Sequence, residues 1–275
     1  MKNNELFNTE VITSKSNSTI VKIGKLIDKK YRKLEKMFLC DGIKLLEEAV
    51  AFNAKIVYVV LNNNVIFDQK NIDLIKKLQS QGIQILCVSD IVFMKLTEEK
   101  SPQGIITVCE FLEEKHTFSA NVKNVKVGEK IMFFESVRDP GNIGTIIRNS
   151  AAFGIDRLIF SSDCADIYSS KVIRSAMGAI FKVKINVVVD LKTSILNIKN
   201  SGYNILGAAL DKYSLILGKY KLSAKDAVII GNEGKGISKE TLNLCDNTLL
   251  IPMQNNTESL NAAMATTIIM WELYK

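Results

Sequence analysis

The chain has 275 residues, and a hydrophobic content of 47% provides for packed cores and argues against wholesale disorder. Its net charge of +7 favours an anionic partner, with nucleic acid first. The five cysteines form no CxxC pair, no Cys/His cluster suggests zinc, and no apolar run reaches the roughly 18 residues that span a bilayer. We therefore expect a cytoplasmic protein with reduced thiols and without a signal peptide, membrane span or metal site.

The first half of the chain predicts a small α/β unit. Residues 1–18 are polar and are expected to form a flexible tail. Between 19 and 110 the apolar pattern alternates, which predicts strands at 37–40, 56–61, 83–88 and 105–109 and helices at 42–52, 71–81 and 90–96. A stretch of this size is within the usual range of one domain.

A basic stretch from Lys22 to Lys36 precedes the first strand of this unit. It is helix-like, and it is either a solvated helix face or a surface that contacts phosphates. The second interpretation agrees with the overall charge, and it assigns RNA-binding roles to Lys22, Lys25, Lys29, Lys30 and Arg32. Two cations on a later predicted helix, Lys171 and Arg174, are added to this group.

The second half predicts a larger unit of repeated strands and helices. Residues 111–129 lose the pattern and are expected to be a linker, with the single histidine, His116, exposed in it. From 130 to 275 strands are predicted at 131–137, 158–161, 183–189, 203–210, 227–230 and 248–251. Helical patterns follow most of these strands, which indicates parallel pairing in a doubly wound sheet.

Three polar loops of this half follow predicted strands, where doubly wound folds bind ligands. The loop 231–236 has the order G-x-x-G-x-G, which is neither the dinucleotide fingerprint nor a phosphate loop. Ser259 has no suitable histidine, so a Ser-His-Asp hydrolase is close to excluded. The remaining hydrogen-bonding groups suit the orientation of a substrate and a charged cofactor; they are Asn142, Arg148, Asn232, Glu233, Ser259 and Asn261.

Three segments closely resemble the motifs of the SpoU/TrmH family of RNA ribose 2′-O-methyltransferases, in the same order and spacing. They are Glu135–Arg148 with its Arg-Asp-Pro-Gly-Asn core, Gly231–Ile237, and Ile251–Asn261 with Ile-Pro-Met and Glu-Ser-Leu-Asn. Residues 19–110 also resemble the family's substrate-binding domain of ribosomal-protein-L30e type, through 38–42 and the Ser-Pro-Gln-Gly turn 101–104. One departure is Asn255, where the family usually has glycine.

The resemblance implies a SPOUT methyltransferase domain at 130–275 with a deep trefoil knot, an exception among protein folds. It also implies a homodimer, and the apolar circumference of the last helix, 261–274, predicts that parts of it and of helix 142–153 form the interface. S-adenosylmethionine is the implied cofactor, with its site at Gly231, Asn232, Gly236, Ile251, Met253 and Leu260.

The implied reaction is metal-free transfer of a methyl group to a ribose 2′-hydroxyl of structured RNA. Arg148 either takes the hydroxyl proton or positions the ribose and stabilises the developing alkoxide. Asn142 holds the ribose or Arg148, and Glu233, Ser259 and Asn261 order the loops. The separate N-terminal domain favours large-subunit rRNA, with tRNA as the alternative substrate. A non-catalytic RNA-binding or ribosome-assembly protein on this fold, and a base-methylating SPOUT enzyme, are the other hypotheses.

Overall fold

A computed structural model of the protein describes residues 2–123, 125–126, 128–211, 213–254 and 259–275. Its first elements are α1 (Asn3–Leu6), β1 (Val11–Ile12), α2 (Ser18–Lys25), α3 (Lys29–Glu35), β2 (Met37–Asp41), α4 (Ile43–Ala51), β3 (Ile56–Asn62), α5 (Gln69–Ser80), β4 (Gln84–Val88), α6 (Asp90–Phe93) and β5 (Ile105–Glu110). Then follow β6 (His116–Ser119), β7 (Ile131–Phe134), α7 (Pro140–Ala152), β8 (Arg157–Ser161), α8 (Ser170–Ala176), the 3-10 helix Ala179–Phe181, β9 (Lys184–Val188), α9 (Leu191–Asn200), β10 (Asn204–Ala208), β11 (Leu215–Ile216), β12 (Asp226–Ile230), α10 (Lys239–Leu242), β13 (Asn247–Leu250) and α11 (Ala262–Tyr274).

Two compact units result. The N-terminal unit comprises Met1–Leu112 with Tyr168–Phe181, and the C-terminal unit comprises Glu113–Ile167 with Lys182–Lys275. The predicted boundary missed the segment Tyr168–Phe181, which carries Lys171 and Arg174 and groups with the N-terminal unit. The ring of Tyr168 stacks on Phe111 at 4.1 Å between centroids, and its hydroxyl accepts a hydrogen bond from the Leu112 N–H at 2.9 Å.

The N-terminal unit is built on a mixed five-stranded sheet with the order β1-β4-β3-β5-β2. Strands β1, β4 and β3 are parallel, whereas β5 runs antiparallel to β3 and β2. The prediction of a flexible tail at 1–18 is wrong for most of that segment, because β1 extends the sheet and Phe7 is buried. The Asn3 amide also donates to the carbonyls of Asn62 and Val65, both at 2.8 Å.

The basic stretch forms two short helices rather than one. Asn17 caps α2 by accepting from the N–H groups of residues 19 and 20, and Asp28 caps α3. Ile20, Ile23 and Leu26 anchor this stretch in the core of the unit. The prediction that Arg32 faces RNA is wrong: the side chain is buried, and its Nη1 donates to the carbonyls of Leu26 at 2.8 Å and Ile27 at 2.6 Å.

The other predicted cations of the N-terminal unit are exposed. Lys22 forms an ion pair with Glu35 at 2.8 Å, and this hydrogen bond raises the lysine pKa although slight burial opposes it. Lys25 and Lys30 lie 5.2 and 5.7 Å from the centroid of the Tyr31 ring. Lys29 and Lys171 are exposed, and the exposed Arg174 pairs with Glu99.

The C-terminal unit is built on a sheet whose eight described strands have the order β11-β13-β10-β12-β7-β8-β9-β6 and pair in parallel. The central strands are continuous apolar runs because helices and loops cover both faces of a parallel sheet. The doubly wound α/β class is thereby confirmed. The expectation of an exposed His116 in a linker is wrong, since His116 is buried in β6 and pairs with Ile185 of β9.

Candidate active site

The site lies at the carboxyl edge of the C-terminal sheet. Strands β13, β10, β12 and β7 are neighbours in the sheet, so the loops that follow them meet at one edge. The loop after β7 leads into α7, the glycine-rich loop follows β12, and the segment after β13 leads to α11. All three sequence motifs are thus brought together, although Asn255–Glu258 of the third motif lie outside the described residues.

The start of α7 is fixed by its own sequence. Asp139 caps the helix by accepting from the Asn142 N–H at 2.8 Å, and Pro140 occupies the first turn, where a missing N–H costs nothing. This geometry buries the Asn142 side chain. The local sequence therefore determines where the first motif loop ends and α7 begins.

Glu233 joins the glycine-rich loop to the start of α7. Its carboxylate accepts from the N–H groups of Arg138 and Asp139, each at 3.1 Å, and from Asn142 Nδ2 at 3.0 Å. Burial opposes ionisation of Glu233, but the bonds from Asn142 and from these backbone N–H groups outweigh it, so the pKa lies below its ordinary value. The carboxylate is therefore ionised at neutral pH and acts as a fixed acceptor.

A chain of side-chain amides continues this network into α11. Asn261 Oδ1 accepts from the N–H groups of Ala263 and Met264 and so caps α11. Its Nδ2 is consequently directed at Asn142 Oδ1, at 2.9 Å. Because both ends of the Asn142 amide are engaged, by Asn261 and by Glu233, Asn142 orders the motif loops in this structure. That Asn142 holds the ribose or Arg148 stays a prediction.

The glycine-rich loop closes on itself where Gly231 has no room for a side chain and Gly236 has a left-handed backbone. Residues Asn232 and Gly236 exchange backbone hydrogen bonds at 3.0 and 2.9 Å. A Cβ on Gly231 would lie 2.2 Å from the Gly236 carbonyl carbon, and Gly236 has a φ of +69°. Asn232 Oδ1 accepts from the N–H groups of Gly234 and Lys235, and its Nδ2 donates to the Ser136 carbonyl at 2.7 Å.

A cavity of about 440 Å³ opens beside this loop. All six residues predicted to bind the cofactor line it, together with Glu233 and Ser259. Its volume is in the range of small-molecule sites, and its apolar side chains and glycine backbone suit a purine ring and the aliphatic chain of a sulfonium compound. The residues present therefore fit S-adenosylmethionine. Sequence reasoning missed Ala208, Ala209 and Leu210, which also line the cavity. The available signal was their place at the carboxyl end of the predicted strand 203–210, which is β10 in the structure.

Arg148 lies apart from the hydrogen-bond network. It is an exposed residue on α7, and in the part of the chain that the structure describes its side chain forms no ion pair. Helix α7 packs on α11, where Asn149 Nδ2 donates to Thr267 Oγ1 at 2.7 Å. Arg148 therefore lies on a helix that packs against α11, and its exposed guanidinium is accessible to a ligand. Ser259 is likewise exposed, at the wall of the cavity.

Two kinds of site are not found in the described residues. No group of three or more His, Cys, Asp and Glu side chains there could hold a metal ion. No helix among the same residues has the length and hydropathy needed to cross a membrane.

All five cysteines are free, and burial raises the pKa of the Cys164 and Cys245 thiols to about 11.

The chain is similar in sequence to known RNA methyltransferases. The sequence model of the SpoU rRNA Methylase family matches residues 129–271, and that of the MRM3-like substrate binding domain matches 17–107. The 23S rRNA (guanosine(2553)-2′-O)-methyltransferase RlmP of Bacillus subtilis is 31% identical over 95% of this chain and 98% of its own. The 23S rRNA (guanosine-2′-O-)-methyltransferase RlmB of Coxiella burnetii is 28% identical over 76% of this chain and 83% of its own.

Solved structures show the same architecture. The AdoMet-bound rRNA methyltransferase from Sinorhizobium meliloti is 26% identical, superimposes with a TM-score of 0.82, and covers 96% of both chains. That neighbour confirms S-adenosylmethionine as the cofactor of this fold and motif set. The three motif loops, the cavity that they enclose and the match over 129–271 lead to one conclusion: the chain belongs to the SpoU rRNA methylase family.

Proposed function

We propose that this chain methylates the 2′-hydroxyl of a guanosine in 23S rRNA, with S-adenosylmethionine as methyl donor. The observation that carries the proposal is the cavity whose wall includes Glu233, the residue that orders the start of the helix bearing Arg148. The names of RlmP and RlmB, which match most of this chain, support the choice of rRNA and guanosine.

The roles of the residues follow from their positions. S-adenosylmethionine would supply a methyl group already activated by a positive sulfur and would leave as S-adenosylhomocysteine, so the chain must place the hydroxyl and stabilise its oxygen while the hydroxyl proton passes to solvent. Arg148 suits this second task because a guanidinium donates several hydrogen bonds and keeps its charge at neutral pH. Glu233, Asn142 and Asn261 keep the loops around the cavity in register. Ser259 contributes a hydroxyl to the cavity wall.

The test is transfer of a tritiated methyl group to transcribed 23S rRNA. Arg148→Ala should lower kcat by about 10² to 10³, the usual effect of removing one group that stabilises an oxyanion. Affinity for S-adenosylmethionine, measured by calorimetry, should stay unchanged because Arg148 is not among the described residues that line the cavity. Activity near that of the unaltered protein, in a folded variant, would contradict the role of Arg148.

The same assay separates the alternatives. Transcribed tRNA in place of 23S rRNA tests the tRNA hypothesis, and methylation of tRNA alone would replace the proposed substrate. A protein that binds RNA but shows no calorimetric binding of S-adenosylmethionine would instead be a non-catalytic RNA-binding protein.

We further propose that the N-terminal unit captures the RNA. The match of residues 17–107 to a substrate-binding domain supports this role, as does the exposure of Lys22, Lys25, Lys29 and Lys30. Folded RNA presents dense phosphates, and each lysine that contacts one releases counterions.

We also propose that the protein is a homodimer. Helix α11 leaves Met264, Trp271 and Tyr274 exposed, with the ring of Trp271 5.9 Å from that of Phe153, which follows α7. An apolar face of this kind is typical of an isologous interface. Light scattering should give twice the chain mass, and a stable monomer at micromolar concentration would contradict the proposal.

A further inference from the structure

A second polar cluster adjoins the motif network but is not part of the residues assigned above. It joins the loop after β7 to the turn after β8 through Ser136, Arg138, Ser161 and Asp163. Asp163 is its centre: one oxygen accepts from Ser136 Oγ at 2.6 Å and from Arg138 Nη2 at 2.8 Å, and the other accepts from Ser161 Oγ at 2.5 Å. The carboxylate therefore fixes two loop segments and a guanidinium at once.

The backbone at Ser136 shows that this loop is held in a defined conformation. Ser136 has a φ of +56°, a left-handed conformation that a residue with a side chain adopts at a cost. Three bonds hold it there: the N–H donates to Ser161 Oγ at 2.8 Å, the Oγ to Asp163, and the carbonyl accepts from Asn232 Nδ2. The strained turn thus links the cluster around Asp163 to the glycine-rich loop.

Arg138 is held at its backbone and at one end of its side chain. The backbone N–H donates to Glu233 Oε2 at 3.1 Å, while Nη2 contacts Asp163. The side chain is nevertheless 62% exposed. An exposed ion pair of this type adds little stability. Since a guanidinium has five N–H donors in a fixed fork, most of its donors remain available to a planar or tetrahedral anion.

We propose that Arg138 is a phosphate-binding subsite for the RNA strand beside the target ribose, and that Asp163 is the positioning residue that orients its guanidinium. This inference rests on the proposed function. Arg138 is not among the described residues that line the cofactor cavity, so its guanidinium is not placed to bind the carboxylate of the cofactor. The other anion that the proposed function provides is an RNA phosphate. The link from Arg138 through Glu233 to Asn142 would also couple phosphate contact to the order of the motif loops.

The ionisation of Asp163 is compatible with this arrangement. Its partial burial opposes the charge, but hydrogen bonds from Ser136 and Ser161 and the positive charge of Arg138 outweigh burial and hold its pKa below the ordinary value. Asp163 therefore stays charged at neutral pH and holds the guanidinium in place, while the arginine shields it from an approaching phosphate.

The experiment measures binding of transcribed 23S rRNA across a salt series, and methyl transfer to the same RNA. Arg138→Gln should raise the KM for RNA about tenfold, the usual effect of losing one charge-assisted hydrogen bond, and should reduce the slope of log Kd against log salt by about one. Arg138→Lys should keep the slope and recover part of the KM. Asp163→Asn should raise the KM by a smaller factor and leave the slope unchanged, because the charge of Arg138 remains.

Lys225→Gln is the matched control, since it removes an exposed cation just before β12, at the amino edge of the sheet. It should leave the KM for RNA within about twofold of the unaltered protein and the slope of log Kd against log salt unchanged. Unchanged RNA binding in a folded Arg138→Gln variant would overturn the proposal, and so would an equal loss of S-adenosylmethionine affinity. If the unaltered protein methylates no RNA, the proposed function fails, while the salt series still tests whether Arg138 binds phosphate.

Discussion

The motif loops of the C-terminal unit and the basic surface of α2 and α3 in the N-terminal unit use polar residues in opposite ways. In the motif loops, Glu233, Asn142 and Asn261 are joined in one hydrogen-bonded chain, and their donors and acceptors are matched. On the basic surface, Lys25, Lys29 and Lys30 are exposed cations on short capped helices.

The contrast separates two physical tasks. A site that must place a hydroxyl against a methyl group depends on geometry, and connected hydrogen bonds supply that geometry. A surface that attracts a phosphate backbone depends on charge density, and it tolerates flexible side chains. Substitutions should therefore have large and specific effects in the first region and small, additive, salt-dependent effects in the second.

The largest effect should come from Gly231→Ala. The new Cβ would lie 2.2 Å from the Gly236 carbonyl carbon, so the two ends of the loop must move apart. We expect affinity for S-adenosylmethionine to fall about a hundredfold in calorimetry, or about 2.7 kcal/mol. Gly234→Ala is the control in the same loop, because its nearest contact would be at 3.8 Å. Equal binding by both variants would show that the loop adapts freely.

The next effect should come from Glu233→Gln. The NH₂ group of the glutamine would then face the backbone N–H of Arg138 or that of Asp139, and two donors cannot bond to each other. At least one hydrogen bond is lost, which should lower the free energy of unfolding by about 1 to 2 kcal/mol. Because the folded-state pKa of Glu233 is lowered, its contribution is present above the ordinary glutamate pKa and is lost as pH falls through the folded pKa. The stability difference between the two proteins in urea unfolding should therefore shrink in acid, and a constant difference would contradict this account.

Arg32→Ala should lower the free energy of unfolding and leave the salt dependence of RNA binding unchanged. It removes the donor that serves the carbonyls of Leu26 and Ile27, which follow α2. Leaving buried carbonyls unsatisfied costs about 1 to 3 kcal/mol, which urea unfolding can measure. A variant that unfolds like the unaltered protein but binds RNA poorly would show that Arg32 contacts RNA phosphates after all.

The smallest effect should come from Lys29→Glu combined with Lys30→Glu. Reversing two exposed charges should raise the KM for 23S rRNA several-fold at low salt, and the difference should fade as salt screens it. Lys76→Glu with Lys77→Glu on α5 is the matched control, because these lysines are also exposed on a helix of the same unit. Identical salt curves for both pairs would mean that α3 is not a specific contact surface.

The sequence by itself determined the local features of this protein. Helix α7 begins where the Asp-Pro pair favours a helix start, and β7 and most of β12 are apolar runs of the kind found in a parallel sheet covered on both faces. The motif residues Gly231, Glu233 and Asn261 were identifiable because their segments resemble the motifs of a known family. Most strands and helices were predicted to within a few residues because apolar periodicity is a local property of the chain.

Tertiary structure alone decided the partners that are distant in sequence. Arg32 lies in a basic run, yet it is buried because two carbonyls at the end of α2 need its donors. His116 lies in a polar stretch, yet it is a strand residue because β9 offers an edge to pair with. The link of Arg138 to Glu233 spans 95 positions of the sequence, and that of Arg138 to Asp163 joins two loops. Periodicity reports only how a segment faces its immediate surroundings, so it carries no information about which distant groups complete its hydrogen bonds.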